Sequence, residues 1–170
     1  MAHSDIDPAA IPARRIGGLA LLTYGDTVGM VLPNYKLDQG ENRWQLPGGG
    51  ARRNESAATA AERELQEETG LVRRLTHLLL SPDWIEENEE TQAPEGYNFV
   101  FDGGELTVAE AEAVAVPEAA RRELIEFAWV RIPNLSRYCK PYQERRIRLA
   151  LTHRRAGLRM PFTAHGVPLG

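Results

Sequence analysis

Between Leu46 and Leu71 the chain reads LPGGGARRNESAATAAERELQEETGL, and this stretch constrains the fold more than any other. Ser56 to about Thr69 has helical spacing, with Asn54 or Glu55 opening the helix and Gly70 placed to stop it. Ala58, Ala61 and Leu65 form its apolar stripe, and the alanines permit close packing on a sheet, while Thr59, Glu62 and Gln66 fall on the solvent side. On this helix Glu64, Glu67 and Glu68 share one face, within an arc of roughly 100°. Carboxylates so placed repel one another. A divalent cation among them removes the conflict, and a hard ion such as Mg2+ prefers carboxylate oxygen. The glycine loop before the helix, Gly48–Gly50, lets backbone carbonyls and amides approach a ligand closely. A glycine loop feeding an acidic helix suggests metal-assisted chemistry on phosphates.

The same segment resembles the Nudix box, G-x5-E-x7-R-E-U-x-E-E-x-G-U, where U is a bulky aliphatic residue. Gly49, Glu55, Arg63, Glu64, Leu65, Glu67, Glu68, Gly70 and Leu71 fill all nine defined positions at the right spacing. The box spans 23 of 170 residues, and a match of that length is far more specific than a lone glycine motif. The resemblance implies an α/β fold, an α-β-α sandwich around a mixed, partly antiparallel sheet. It also implies a Mg2+-dependent hydrolase, with Mn2+ as a substitute ion, that cleaves the diphosphate bond of a nucleoside diphosphate linked to another moiety. In such a site Glu64 and Glu68 are the foremost metal ligands, and Glu67 is either a ligand or the base that takes a proton from water. Gly48 or Gly49 contributes a backbone carbonyl, and Arg63 holds the carboxylates in place. Glu55 caps the helix, orients Arg63 or reaches a second metal. Many relatives have an acidic residue and a glycine where this chain has Arg52 and Asn54. Asn54 tolerates the left-handed backbone that glycine would supply, and Arg52 either removes an extra metal site or adds a phosphate contact. The alternative reading is a Nudix-like nucleotide-binding or sensor domain without catalysis, which the intact glutamate trio argues against.

Outside the box the chain is less specific. Ile16–Thr23 and Val28–Leu32 read as a hairpin whose first strand is buried on both faces. Pro33–Arg43 reads as a polar loop and Trp44–Leu46 as a short strand. Further strands are expected over Leu75–Ser81, ended by Pro82, over Tyr97–Phe101, closed by Gly103-Gly104, and over Leu124–Ile132. Ile85–Gly96 reads as an acidic loop, 106–122 as loop with a short helix, and Tyr142–Arg155 as an amphipathic helix. Residues 1–14 are expected to form a flexible arm, 15–156 a single domain and 157–170 an irregular tail.

Net charge of −4 gives no broad basic surface, so duplex nucleic acid is not an expected partner. A small nucleotide is not excluded, because a metal and a few arginines can meet its charge. Cys139 is the only cysteine, which rules out an internal disulfide and a multi-cysteine zinc site. A small, partly buried side chain is the expected role for it. No secretory pattern or membrane-length apolar run is present, so a cytoplasmic location and no membrane association are expected; the family resemblance makes a homodimer plausible. Secondary base candidates are Glu86, Glu87, Glu89, Glu90, Glu123 and Glu126. Tyr97, Trp84, Phe99 and Trp129 are candidates for stacking on a nucleobase, Tyr97 foremost, with core packing the competing role. Arg52 and Glu55 complete the substrate-side set, and Arg14, Arg15 and Arg43 are unranked phosphate contacts. His77 reads as a core residue; His3, His153 and His165 suggest nothing. Some subgroups carry a proline about fifteen residues past the box; Glu86 occupies that position here, which disfavours the ADP-ribose subgroup.

Overall fold

The computed structural model of the chain describes residues 13–35, 43–89 and 93–169. Most of the expected N-terminal arm, His3 and Glu90 lie outside the described residues. Arg14 is inside them, paired with Glu95 at 2.7 Å.

β1 (Arg15–Tyr24) and β2 (Thr27–Pro33) form the expected hairpin. They pair only at Thr23↔Val28 and Tyr24↔Thr27 and then diverge. The vacated edge of β1 is taken by β3 (Gly48–Gly50), antiparallel to Gly17, Gly18 and Leu19. The glycines read as a loop are therefore a strand. Trp44–Leu46, read as a strand, supplies only a bridge from Gln45 to Val31. Glycine is required at the start of β3: Gly48 has φ 139°, and a Cβ there would collide with the Gly18 carbonyl and Leu19 Cα of β1. The ladder continues through Ala20 N to Pro47 O at 2.9 Å and Ala51 N to Ile16 O at 2.8 Å.

β6 (Gly96–Glu105) runs parallel to β1 along its length. Gly103 and Gly104 do not end this strand; the register slips between Leu21 and Leu22, so the glycines form a bulge. β7 (Leu124–Arg131) pairs antiparallel with β2. On the far edge of β6 lie β4 (His77–Leu78) and β5 (Asp83–Ile85), both antiparallel to it. The strand expected over Leu75–Ser81 is thus shortened to two residues, and part of the expected acidic loop is strand instead. Trp84 on β5 meets the Tyr97 ring edge-to-face at 5.2 Å, a cross-strand pair that fixes the register. His77 is exposed on β4, with Nδ1 2.9 Å from Thr76 Oγ1, and is not a core residue. The segment after Gly157 is not irregular. It adds β8 (Met160–Pro161) beside β4 and closes as a small hairpin, β9 (Thr163–Ala164) with β10 (Val167–Pro168). The resulting eight-stranded mixed sheet has the order β7-β2-β1-β6-β4-β8, with β3 on β1 and β5 on β6.

Helices cover both faces. α1 (Ala57–Thr69) and α2 (Val108–Ala113) lie on one side; α3 (Leu135–Tyr138) and α4 (Pro141–Arg155) lie on the other. Alternation along β1 feeds both cores: Leu21 packs with Met30, Val100 and Ile147, while Ala20 and Leu22 pack with Ala58, Ala61, Leu65 and Phe101. This is the expected α-β-α sandwich. α1 approaches β1 closely because Gly18 lies beneath it; a Cβ there would collide with the Ala57 carbonyl and Ala61 N. Cys139 is buried and donates to Leu135 O, and burial pushes its thiol up to about 11, fitting an inert side chain. Among the described residues no helix is long and apolar enough to cross a membrane.

Candidate active site and metal centre

The site is one strand–loop–helix unit, β3 to α1. Its helix opens at Ser56, not at Asn54 or Glu55. Ser56 is extended, and its Oγ accepts from Thr59 N at 3.0 Å. Gly70 takes the left-handed cap with φ 75°, as expected, and Asn54 takes the other left-handed position with φ 62°. Relieved of capping, the Glu55 carboxylate accepts from Arg52 N at 2.7 Å and receives a two-pronged contact from Arg63, Nε at 2.8 Å and Nη2 at 3.0 Å. The Arg63 guanidinium, followed by the Arg52 amide, holds the Glu55 carboxyl down at about 2.

Arg63 is the hub of the site. Besides Glu55, it donates from Nη1 to Glu64 Oε1 at 2.6 Å and to Glu67 Oε2 at 3.1 Å, and from Nη2 to Gly50 O at 3.2 Å. One planar cation thus spaces three carboxylates and ties the helix to the glycine strand. The hydrogen bonds that Arg63 donates to Glu55 raise its pKa further, outweighing its burial. Arg52 lies at the exposed rim, 3.7 Å from Glu67 Oε1.

Glu68 differs from its neighbours. It is buried, and its Oε2 accepts from Gly48 N at 2.7 Å. Burial pushes the carboxyl up to about 8; the Gly48 bond opposes this, and the charges of Glu64, Glu123 and Glu67 add to it. Glu123, one of the secondary base candidates, is thus near enough for its charge to act on Glu68. Gly49 sits against Glu64: a Cβ on it would come within 2.6 Å of the Glu64 carboxyl.

These donors suit a hard cation. Among the described residues, Glu64 Oε2 and Glu68 Oε1 accept no protein hydrogen bond, and Gly48 and Gly49 bring the backbone against the two side chains. No three His, Cys, Asp or Glu side chains among the described residues are gathered tightly enough to hold an ion as they stand. Arg63 holds Glu64 and Glu67 by one oxygen each, and closing around an ion requires those side chains to turn.

Beside β3 a cleft of about 450 Å³ opens between the sheet and α4. Arg15, Gln45, Asn98, Tyr142 and Arg146 line it together with Gly48–Gly50. Tyr97 is not among its lining residues. Strand alternation turns Asn98 into the cleft and Tyr97 away, toward Trp84. Phe99 packs on Phe162, and Trp129 Nε1 donates to Ala111 O. Glu86 lines the cleft; Trp84 lines an adjoining depression that shares Glu86, Tyr142 and Arg146 with it. Sequence reading missed Asn98, Tyr142 and Arg146. The signal for Arg146 was present: it occupies a core position of α4, between the buried Gln143 and Ile147.

Residues 18–154 match the NUDIX domain model. The chain belongs to the NUDIX family. Among curated relatives, an RNA pyrophosphohydrolase of Dinoroseobacter shibae is 42% identical over 80 residues, covering 46% of this chain and 48% of that protein. One of Brucella ovis is 37% identical over 84 residues, covering 47% of each. The chain thus spans about half the length of the curated relatives it matches. Among solved structures, the MutT protein from Methanosarcina mazei Go1 superposes with a TM-score of 0.63 at 22% identity, over 87% of this chain and 98% of that one. The NUDIX domain of Shewanella oneidensis NrtR, solved with ADP ribose, gives 0.65 at 18% identity, over 89% and 98%. At these identities the structures establish the Nudix fold alone.

Proposed function

We propose that this Nudix protein is a Mg2+-dependent pyrophosphohydrolase that cleaves the diphosphate bond of a nucleoside diphosphate linked to another moiety. The observation that carries the reading is the buried Glu68 carboxyl, bonded to the glycine strand and flanked by Glu64 and Glu67 under the control of one arginine. That is a costly arrangement for structure alone. Glu64 and Glu68, with Glu67 and a carbonyl of Gly48 or Gly49, would hold Mg2+ or Mn2+. The ion, when bound, offsets phosphate charge and lowers the pKa of water. Glu68 must lose its proton to serve as a ligand, and Glu67, the most exposed of the trio, is placed to accept a proton from water. Arg63 positions these carboxylates, and Arg52 at the rim is free to swing toward a phosphate. Glu55 acts through Arg63, not on the substrate.

The relatives' names and the NrtR complex select two arms of the test, 5′-triphosphate RNA and ADP-ribose; a dinucleoside tetraphosphate is the third, and each is run with Mg2+ or Mn2+ in 18O-labelled water. Hydrolysis of one of them to two phosphate-bearing products, one carrying the label, is the expected result. No turnover of any arm with either ion would overturn the reading in favour of a binding domain.

The Gly49 contact supplies a sharper check. Gly49→Ala places a methyl against the flexible end of Glu64, so the fold should survive with its melting temperature within a few degrees of wild type. Mg2+ affinity measured by calorimetry should fall at least about tenfold. Unchanged affinity would remove Glu64 from the ligand set.

A further inference from the structure

One residue that lines the cleft carries a buried donor that the fold leaves unused. Arg146 is 8% exposed. Its Nε donates to Asp83 Oδ2 at 2.6 Å, and its guanidinium carbon stands 5.5 Å from the Tyr142 ring centroid. Its Nη2 is buried and, among the described residues, has no hydrogen-bond partner. A buried guanidinium N–H left unpaired is costly, and native structures rarely keep one without a ligand or water. Arg146 lines the same cleft as the glycine strand.

The charge balance indicates what kind of group the donor faces. Asp83 already neutralises Arg146, and Glu86 adds a carboxylate to the lining. This end of the cleft therefore offers a hydrogen bond without surplus positive charge. A phosphate, which calls for positive charge, is better served by Arg15, which lines the same cleft. A neutral acceptor on a flat group fits beside Tyr142, with the Asn98 carboxamide free to meet the rest of its edge, and a cleft of about 450 Å³ is of ligand size. We infer that Arg146 is a specificity-determining residue that donates Nη2 to an exocyclic carbonyl of the substrate's nucleobase. This rests on the pyrophosphohydrolase reading for the identity of the ligand, but not for the test.

Inosine 5′-monophosphate and adenosine 5′-monophosphate differ at position 6 by carbonyl against amino, an acceptor against a donor. Calorimetric titration of the full chain with each, and with inorganic phosphate, is run in EDTA so that no hydrolysis intervenes. The wild type should bind the inosine nucleotide about tenfold tighter than the adenosine one. Arg146→Lys, which keeps the partner charge for Asp83, should erase that preference by weakening the inosine nucleotide alone. Equal wild-type affinities, or no binding of either at millimolar concentration, would overturn the inference. So would an Arg146→Lys loss shared by both nucleotides and by phosphate, which would assign the donor to a phosphate. If the variant does not fold, the wild-type ratio decides. A preserved ratio with no hydrolysis in the panel would sink the catalytic reading and leave this one standing.

Discussion

Replacing Glu68 by Gln is expected to lower kcat at least about 10³-fold while leaving the metal-free protein as stable as wild type or more so. The two halves of this result have one cause. Gln presents the same carbonyl oxygen to Gly48 N, so the 2.7 Å bond that ties α1 to β3 survives. It lacks the charge that a metal requires and that burial penalises. In the wild type the folded carboxyl titrates at about 8 against an ordinary 4.5. Between those values the folded state holds a proton that the unfolded state has lost. Metal-free stability should therefore be complete below pH 4.5 and decline as pH rises toward 8, by at most about 5 kcal/mol. Glu68→Gln has no such term, so its stability should stay flatter across that window. Mg2+ should reverse the wild-type decline, because binding draws on the deprotonated carboxylate that high pH supplies. Urea unfolding at several pH values, with EDTA and with Mg2+, reads all of this. A wild-type curve parallel to that of Glu68→Gln would mean that Glu68 is charged and satisfied without an ion. Full turnover in the variant would remove it from the mechanism.

What sequence revealed and what it concealed divides along local against long-range determinants. The box could be read because its chemistry is local: the 3.6-residue period sets Glu64, Glu67 and Glu68 on one face, and Gly70 and Asn54 meet their left-handed positions without help from the rest of the chain. The two-sided burial of β1 was legible because an unbroken apolar run has few other uses. Pairing partners were not legible. Nothing near Gly48–Gly50 announces a strand, since the segment it pairs with, Gly17 to Leu19, lies about thirty residues earlier. The C-terminal strand β8 likewise depends on β4, about eighty residues earlier. Tyr97 was misplaced for a related reason: an aromatic beside a candidate cleft reads the same whichever way it points, and only strand register turns it away. Arg146 could have been found as a charge within an apolar helical stripe, yet Asp83 as its partner could not.

The second large effect is expected at Arg63. Arg63→Lys should lower kcat about 10- to 100-fold and destabilise the fold by about 2 to 4 kcal/mol; Arg63→Ala should do at least as much. Lysine keeps the charge but is a point cation. It cannot supply the two-pronged contact to Glu55 and at the same time reach Glu64, Glu67 and Gly50 O, as the planar fork does. The acid limb separates this positioning role from charge alone. Arg63 holds the Glu55 carboxyl at about 2 against 4.5. The stability this confers is present above pH 4.5 and is lost as pH falls toward 2, so removing the fork should move the acid-unfolding midpoint upward. Mg2+ then supplies the discriminating arm. In Arg63→Ala the carboxylates have lost their internal cation, and saturating Mg2+ should recover part of the stability by replacing that charge. It should not recover kcat, because an ion bound among misaligned carboxylates does not sit correctly against the diphosphate. Recovery of both at high Mg2+ would reduce Arg63 to a counter-charge. An unmoved acid midpoint together with wild-type kcat in Arg63→Lys would show that the fork contributes nothing to the site.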